Sequence, residues 1–432
     1  MATRSSSTAL AAHRALLLDG IRAAGQISRA ALARRTGLNA ATVTVVVRGL
    51  INDGLIVESG RAASTGGKPA VLLSLGIESR FAVGVHLDHT ATTYVLADLS
   101  GHVVARWSRR GGTDTQDPQQ VVQRMAADVT ALVTQVGLTL ERLTGVGLVS
   151  PGPATTATGI ALSTPEMQPW IDFPLVDALA AATGLPVVLG NDATAAAIGE
   201  FWAGALDPTS VFAAVYMGTG IGAGILASGH PIVGASGNAG EIGHICVVRD
   251  GLPCWCGSNG CLETVASAGA IVQAAQRAGC DLSGALIDEQ FAAAARAAMN
   301  GHPAAARIFD RAADDVAVAV HTLTNILDLD QVILTGPAFA VAGPLFLPAI
   351  QQRLKQTFFA RGAHPVTVSI SSNATDAAAT GAAAMVLQSE LAPQSSASGL
   401  SLIISDPDRG ISAGGSSAGA VPGAVPEAAA AK

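Results

Sequence analysis

The stretch GEIGHICVVRDGLPCWCGSNGCLE, residues 240–263, contains four side chains of the kinds that bind zinc. They are His244, Cys254, Cys256 and Cys261. Three thiolates and one imidazole fill a tetrahedral site of the structural type, which leaves no open coordination position for a substrate. The glycines between the second and third cysteines let the backbone turn closely around an ion. We therefore predict a structural zinc site in this stretch.

Two alternatives to a metal site exist. The first is a set of buried, unligated cysteines beside a surface histidine. Three of the five cysteines of the chain lie between residues 254 and 261, and such clustering favours a metal site. The second is disulfide bonding, which is a poorer explanation because nothing in the sequence points to an oxidising compartment.

The same stretch carries a resemblance to a known family. Glu241 and Glu263 flank the ligands, and the pattern GEIGH followed by CxCGxxGCLE resembles the ROK family (repressors, open reading frames and sugar kinases). The resemblance extends over about residues 10–390. It implies an α/β body with two lobes of the actin-like, ribonuclease-H-like ATPase fold, a ligand cleft between the lobes, and a structural zinc.

Charge is distributed unevenly along the 432 residues, of which 49% are hydrophobic and 13% charged. Residues 1–75 contain nine Lys or Arg against three Asp or Glu, a net charge of about +6. The overall net charge of −7 therefore leaves about −13 on the remainder. A basic module on an acidic body indicates that the first module binds nucleic acid. A solvated basic face is the alternative.

No signal peptide or membrane span is predicted. The N-terminal residues lack an apolar segment before a cleavage site, and no uninterrupted apolar run reaches the length of about 18 residues that a spanning helix needs. We therefore expect a cytoplasmic protein.

The N-terminal residues follow a helix-turn-helix pattern. Helices are predicted at 9–24, 28–36 and about 40–52, and two short strands at 55–59 and 68–75. In the third helix one buried stripe is predicted, formed by Val43, Val46, Val47 and Leu50. These elements predict a winged helix-turn-helix DNA-binding domain at residues 1–75. A three-helix bundle used for protein contacts is the alternative.

DNA contacts are expected on the third helix and on the basic residues around it. The candidate base readers are Asn39, Thr42 and Thr44. The candidate phosphate contacts are Arg29, Arg34, Arg35 and Arg48, and Lys68 at the tip of the wing is placed to reach a minor groove. The segment resembles the N-terminal domain of ROK repressors, and family members often carry a basic residue where this chain has Val45.

The body alternates strands and helices, as α/β domains do. Helices are predicted at 118–137, 286–299, 304–327 and 376–391. With the resemblance, this pattern assigns residues 80–390 to a sugar-binding ROK domain of two lobes. Residues 392–432 are rich in Ser, Ala, Gly and Pro and contain few large apolar side chains, so we predict a disordered tail.

The resemblance also implies a sugar site. It places the sugar contacts at Asn191, Asp192, Glu241, His244 and Glu263, with Asp192 at the position of the general base of the kinases. Carboxylates and an amide suit a polyol because they accept hydrogen bonds from hydroxyl groups in fixed directions. His244 would then serve twice, with one ring nitrogen on zinc and the other on a sugar hydroxyl.

The nucleotide site departs from the family pattern. ROK kinases carry Asp-x-Gly-Gly-Thr after the first strand of the domain, whereas this chain reads His86-Leu87-Asp88-His89-Thr90. Side chains stand where glycines admit a phosphate, and Asp88 adds a like charge. The second glycine loop, residues 217–222, is intact, and Thr335-Gly336 stands where kinases have a glycine pair. We therefore predict that the chain is not an enzyme.

Together these patterns predict a sugar-responsive regulator of carbohydrate-metabolism genes, of the repressor type. Its expected partners are operator DNA and a sugar or sugar derivative as effector. We also expect a homodimer or homotetramer, since paired half-sites match a dimer. One alternative is an ATP-dependent sugar kinase with an appended DNA-binding domain. Another is a ROK scaffold that responds to a protein partner.

Overall fold

The structure is a computed structural model, in which a defined part of the chain is described. The described residues are 2–63, 69–113, 117–152, 154–156, 159–160, 169–171, 173–203, 206–207, 209–391 and 403–405. Within these residues no helix is both long enough and apolar enough to cross a membrane.

Three helices and a small antiparallel sheet form the N-terminal unit. The helices are α1 (Ala2–Ala24), α2 (Arg29–Thr36) and α3 (Ala40–Asn52), and the strands are β1 (Ile27–Ser28), β2 (Ile56–Arg61) and β3 (Val71–Leu75), in the order β1-β3-β2. The Ser28 hydroxyl accepts from the backbone N–H of Ala31, and Asn39 Oδ1 accepts from that of Thr42. These two side chains thus cap the N-termini of α2 and α3. Gly37 ends α2 with a φ of 71°.

The predicted helix boundaries in this unit are confirmed, with one difference. The third helix begins at Ala40 and ends at Asn52, and its predicted stripe is buried. The first helix, however, begins at Ala2 instead of residue 9. Residues 2–8 contain no Gly or Pro, so nothing in the sequence stops the helix from extending by about two turns.

A six-stranded sheet forms the first lobe of the body. In the order of the sheet, β16-β10-β7-β4-β5-β6, its strands are Ile403–Ser405, Val187–Asn191, Leu143–Ser150, Phe81–Leu87, Ala91–Asp98 and Val103–Arg110. One face packs against α4 (Pro118–Gln135) and α5 (Leu175–Thr183). A separate two-stranded ribbon consists of β8 (Ala154–Thr156) and β9 (Gly159–Ile160).

A five-stranded sheet forms the second lobe. In the order β13-β12-β11-β14-β15, its strands are His230–Pro231, Ile221–Ala227, Val211–Met217, Gln331–Thr335 and Thr367–Ile370. Helices cover its outer face: α7 (Glu263–Ala266), α8 (Ala268–Arg277), α9 (Ile287–Met299), α10 (Pro303–Leu327) and α11 (Pro337–Thr357).

Two helices lie between the sheets. They are α6 (Asp192–Trp202) and α12 (Ala377–Leu391), and one apolar core joins them to both sheets. Small residues allow this close packing: a methyl group at Gly84 or Gly147 would lie 1.8 or 2.0 Å from carbonyl oxygens of α12. The N-terminus of α6 thus lies at the carboxyl end of β10, where the two lobes meet.

The disorder predicted for residues 392–432 is wrong for a short part of that segment. Residues 403–405 form β16, which pairs antiparallel with β10 at the edge of the first sheet. The β-branched pair Ile403-Ile404 favours an extended backbone, and the edge of β10 offers unpaired backbone groups to it. The rest of the predicted tail lies outside the described residues.

Candidate functional site

The four predicted metal ligands converge in one cluster. The ligand atoms of His244, Cys254, Cys256 and Cys261 all lie within 4.8 Å of one another. Cys256 Sγ and Cys261 Sγ are 3.7 Å apart, and Cys254 Sγ and His244 Nδ1 are 3.6 Å apart. A tetrahedral zinc site has S–S edges of about 3.8 Å and S–N edges of about 3.6 Å, from the usual bond lengths. The cluster therefore has the dimensions of a metal site.

A tight backbone turn holds the cluster together. The Cys254 backbone N–H donates to the carbonyl of Ser258 at 2.8 Å, and the Gly257 N–H donates to the carbonyl of Cys254 at 3.0 Å. Gly260 has a φ of 69°, and a methyl group on it would lie 1.8 Å from the carbonyl oxygen of Val248. Only glycine fits at this position.

The thiols of the cluster differ in their acidity. Burial raises the pKa of Cys261 to about 12 and also raises the pKa of Cys254. The backbone N–H of Ser258 lowers the pKa of Cys256. Buried thiols of this kind ionise at neutral pH when a cation lies among them. The donor set thus fits a divalent cation that prefers sulfur and nitrogen.

Two of the predicted sugar contacts start α6. Asn191 Oδ1 caps the helix by accepting from the N–H of Thr194 at 3.0 Å, so the oxygen of its side chain is already engaged. Asp192 Oδ1 accepts from the N–H of Ala193 at 2.7 Å, and the residue is buried. The positive end of the helix dipole stabilises a carboxylate at this place.

The two predicted glutamates lie on the other side of the cleft. Glu241 as a whole residue is exposed, but desolvation of its carboxyl group, followed by the charges of Asp192 and Glu263, raises its pKa to about 7. Glu263 Oε1 accepts from Trp255 Nε1 at 2.8 Å, which links this carboxylate to the cysteine loop. A methyl group on Gly220 would lie 2.9 Å from Glu263 Oε2. The structure thus brings the predicted carboxylates together at one site.

Three further polar groups line the floor of this site. Sequence reasoning missed Ser150 and Tyr216, and it identified His86 only as the replacement for an Asp of the kinase loop. His86 Nε2, Ser150 Oγ and Tyr216 Oη are buried and have no hydrogen-bond partner among the described residues. The rings of His86 and Tyr216 meet edge to face across the two lobes, with centroids 6.0 Å apart. All three groups stand at carboxyl ends of strands, where ligands of open α/β sheets bind. That position was the signal that could have found them.

His86 forms an ion-pair contact with Asp192. Its Nε2 lies 3.8 Å from Asp192 Oδ2, which is too long for a hydrogen bond. Burial lowers the pKa of His86, but the carboxylates of Asp192 and Asp88 outweigh burial, and the net direction is upward. These carboxylates therefore favour the charged form of the imidazole more than water does.

The loop after β4 and the glycine loop of the second lobe meet through Asp88. Its Oδ1 accepts from Thr219 Oγ1 at 2.8 Å and from the backbone N–H of His89 at 2.7 Å. Thr219 belongs to the intact glycine loop of the second lobe. A methyl group on Gly218 would lie 3.6 Å from Asp88 Oδ2. A carboxylate thus occupies the space between these loops. In the same region Thr335 Oγ1 donates to Glu200 Oε1 at 3.2 Å.

The predicted DNA contacts lie on an exposed face of the N-terminal unit. Five of them are exposed, namely Arg34, Arg35, Asn39, Thr44 and Arg48, whereas Thr42 is half-buried. Arg29 forms an ion pair of 2.8 Å with Glu58 of β2, so its guanidinium already has a carboxylate partner. Lys68 lies outside the described residues.

Comparison with known proteins identifies the relatives of this chain. The sequence profile of the ROK family matches residues 82–389. A glucokinase of Halalkalibacterium halodurans is 32% identical over 329 residues, which cover 73% of this chain and 97% of that protein. A xylose repressor of Caldicellulosiruptor bescii is 28% identical over 373 residues, which cover 84% of this chain and 92% of that protein. The second alignment covers about 363 residues of this chain, more than the 353 residues from 80 to 432, so it reaches into the residues before 80.

A solved structure shows the same fold. The crystal structure of a ROK family transcriptional regulator, described as a homologue of the Escherichia coli MLC protein, superposes with a TM-score of 0.69 at 24% identity. It covers 89% of this chain and 98% of that one. These likenesses confirm the predicted two-lobed α/β fold of the ROK sugar-kinase type for the body.

Proposed function

The chain belongs to the ROK family, and we propose that it is a sugar-responsive, DNA-binding transcription regulator of the repressor type that controls carbohydrate-metabolism genes. One observation carries the proposal. The carboxylates of a sugar site are gathered in the cleft, while Asp88 fills the space between the two loops that hold phosphate in the kinases. A site with this arrangement retains binding and loses phosphoryl transfer.

The effector bound in this cleft is a sugar without a phosphate group. Asp88, Asp192, Glu241 and Glu263 surround it, and the pKa of Glu241 is raised by burial and by two of the other carboxylates. The sequence from residue 143 to residue 248 contains no Lys or Arg, although it supplies most of the site. Hydroxyl groups donate to such carboxylates, whereas a phosphate would be repelled by them.

The cysteine cluster holds a structural zinc ion. Three cysteines and His244 supply four ligands, so the ion has no open position and does no chemistry on a substrate. The ion would fix the loop from Cys254 to Cys261 and so the position of Trp255 within it. The indole N–H of Trp255 donates a hydrogen bond to the carboxylate of Glu263. The role of the ion is to orient residues of the sugar site.

In the proposed function the chain does not transfer phosphate from ATP to the sugar. Coulomb repulsion between Asp88 and a phosphate at about 4 Å amounts to roughly 1 kcal/mol in water and several times more in a partly buried site. Asp88 also accepts a hydrogen bond from the hydroxyl of Thr219, which belongs to the second loop. Asp192 would keep a binding role only.

The N-terminal unit, residues 1–75, is the DNA-binding domain, a winged helix-turn-helix. This assignment is supported by the capped helices α2 and α3 and by the antiparallel β2–β3 ribbon. It is also supported by the charge of residues 1–75, which contain nine basic and three acidic residues. The third helix would enter a major groove, with Arg34, Arg35 and Arg48 on phosphates. A homodimer or homotetramer would present such helices to paired half-sites. We expect this protein to act in the cytoplasm.

Helix α6 links the sugar site to the DNA-binding domain. Its first residue is Asp192, and its last residues, Phe201 and Trp202, lie about 14–15 Å away along the helix. The guanidinium of Arg22 from α1 stacks over both rings, 4.8 Å from the centroid of Trp202 and 5.4 Å from that of Phe201. A shift of α6 on sugar binding would therefore move α1 and, through it, the recognition helix.

Removing the cation at this contact should uncouple the two sites. In Arg22→Ala we expect sugar affinity and DNA affinity to stay within about threefold of the parent. The factor by which sugar changes DNA affinity should fall about fivefold, because a buried cation–π contact contributes about 1 kcal/mol. Fluorescence anisotropy of a labelled operator, with and without sugar, measures this factor.

Arg22→Lys and Arg277→Ala are the matched controls. The lysine retains a cation over the rings and should restore part of the coupling. Arg277 lies on α8 of the second lobe, where its guanidinium contacts a helix carbonyl, and its replacement should change nothing. Full coupling in Arg22→Ala would show that the signal takes another route.

The proposed function itself is tested by sugar-dependent DNA binding. Duplexes that bind the full chain are selected from a random pool, and their affinity is then measured against a panel of sugars and sugar phosphates. We expect one unphosphorylated sugar to change the affinity by at least tenfold. Selection that yields no preferred duplex would refute DNA recognition, and a response to sugar phosphates alone would refute the assigned effector class.

An ATP-dependent sugar kinase is the second candidate function. Asp192 stands at the position of the kinase base, and the glucokinase relative is 32% identical over 97% of its length. The contact between Asp88 and Thr219 argues against this function. The two candidates differ in whether the bound sugar leaves the cleft phosphorylated.

A further inference from the structure

Two of the four residues on the exposed face of α3 are apolar. Its buried stripe faces the core, and the opposite stripe, at the spacing i, i+3, i+4, i+7, consists of Ala41, Thr44, Val45 and Arg48. All four residues are exposed, and Val45 has 64% of its surface accessible. A β-branched apolar residue in the middle of an exposed helix face contributes nothing to the packing of this unit. It is therefore available to a partner.

The polar groups next to this face are already engaged within the helix. Thr44 Oγ1 donates to the carbonyl oxygen of Ala40 at 2.8 Å, and Asn39 Oδ1 accepts from the N–H of Thr42 at 2.8 Å. A hydroxyl that donates to its own helix is no longer a donor for a base edge. Besides the guanidinium of Arg48, this face therefore offers the methyl groups of Ala41, Thr44 and Val45 to a major groove.

The charge around the face fits duplex DNA as the partner. Arg34 and Arg35 are exposed at the end of α2, and Arg48 lies one turn after Val45. Guanidinium groups around an apolar stripe match phosphates on both sides of a groove, in which the 5-methyl group of thymine is the apolar feature of the base edges. An apolar surface of a protein partner would have no negative charges to pair with these three arginines.

We propose that α3 recognises its operator by apolar contact between Val45, Ala41 and the methyl of Thr44 and the 5-methyl groups of thymines, with the surrounding arginines on phosphates. This inference rests on the DNA-binding function proposed above and assigns its specificity. It makes Val45, a position where ROK regulators often carry a basic residue, the principal reader of the half-site. A buried methyl group contributes about fourfold in affinity.

The test replaces thymine by deoxyuracil in a duplex selected with the full chain. Deoxyuracil keeps every hydrogen-bonding group of thymine and lacks only the methyl group. We expect one or two positions in each half-site at which the replacement weakens binding about three- to tenfold. In Val45→Ala the thymine duplex should bind more weakly, and the penalty for deoxyuracil at one of these positions should fall below twofold.

Val104→Ala is the matched control, because Val104 is an exposed valine of β6 in the body. This variant should keep the whole deoxyuracil penalty. Alanine favours helices more than valine does, so Val45→Ala folds and a change in its binding is a change of contact. Deoxyuracil duplexes that all bind within twofold of the thymine duplex would overturn the inference and leave DNA binding standing, as would a penalty that persists in Val45→Ala. A chain that binds no duplex would overturn both.

Discussion

Cys256→Ser is expected to remove the metal from the protein and to abolish its response to sugar. Serine is a poor zinc ligand, and three remaining ligands hold the ion far more weakly, since the affinity of structural zinc is folding free energy of about 10 kcal/mol or more. Loss of the ion would release the loop that positions Trp255, and with it Glu263, whose carboxylate accepts from the Trp255 indole at 2.8 Å. The zinc content, measured by metal analysis, should fall from about one ion per chain to near zero.

Cys246→Ser is the matched control for this variant. Cys246 is an exposed cysteine two residues after His244, and it is not a member of the four-ligand cluster. Its replacement should leave both the metal content and the sugar response unchanged. An equal loss of zinc in both variants, or a retained zinc in Cys256→Ser, would contradict the assigned ligand set.

Asp192→Asn is expected to weaken sugar binding by about 100-fold. The change keeps the size of the side chain but removes the charge from a buried acceptor. Each hydrogen bond to a charged group contributes about 1.5–3 kcal/mol, so the loss of charge-assisted character in two bonds amounts to about 3 kcal/mol. Calorimetry of the sugar found by the panel measures the affinity directly.

The same variant should change the pH dependence of binding. Burial is the first cause of the pKa of about 7 at Glu241, and the charge of Asp192 is the second. A carboxyl group with a raised pKa is protonated below that pKa, so sugar binding that uses Glu241 as an acceptor should weaken as the pH falls through about 7. In Asp192→Asn the midpoint should move to lower pH.

Asp177→Asn is the control for this experiment, since Asp177 is an exposed aspartate in the first turn of α5. Its replacement also removes a charge near a helix N-terminus, on an exposed residue that is not one of the cleft carboxylates. Sugar affinity and its pH profile should match those of the parent. A similar loss in both variants would mean that helix stability, and not a sugar contact, is responsible.

Local signals in the sequence were sufficient for the N-terminal unit and the metal cluster. Ser28, Gly37 and Asn39 act on their own helix ends, so their effect can be read without the rest of the chain. The cysteines that converge are close in sequence, and His244 lies ten residues before Cys254. Short separations leave the chain few ways to arrange them.

Helix α11 could not be predicted from such signals. It contains Pro344 and Pro348, which remove backbone donors and usually end a helix. Burial of Phe339, Phe346 and Ile350 against the second sheet offsets this loss. That burial depends on residues far away in sequence, so tertiary packing overrides the local preference.

The pairing of residues on the floor of the cleft was missed for a similar reason. His86 and Tyr216 are 130 positions apart and meet only because two strands from different lobes end at the same place. Asp88 was expected to obstruct a phosphate, but its hydrogen bond to Thr219 depends on the closed arrangement of two loops. Sequence reasoning identifies such residues one at a time and does not pair them.

The central claim is that the cleft binds a sugar and does not phosphorylate it. The most direct measurement is thermal unfolding of the purified chain with each sugar of a panel, with and without Mg-ATP, followed by analysis for sugar phosphate. A sugar at about 100 times its Kd should stabilise the protein by about 2.7 kcal/mol, a rise in Tm of a few degrees. We predict that this rise is the same without Mg-ATP and that no sugar phosphate forms. Accumulation of a sugar phosphate that disappears in Asp192→Asn would contradict the account and identify a kinase.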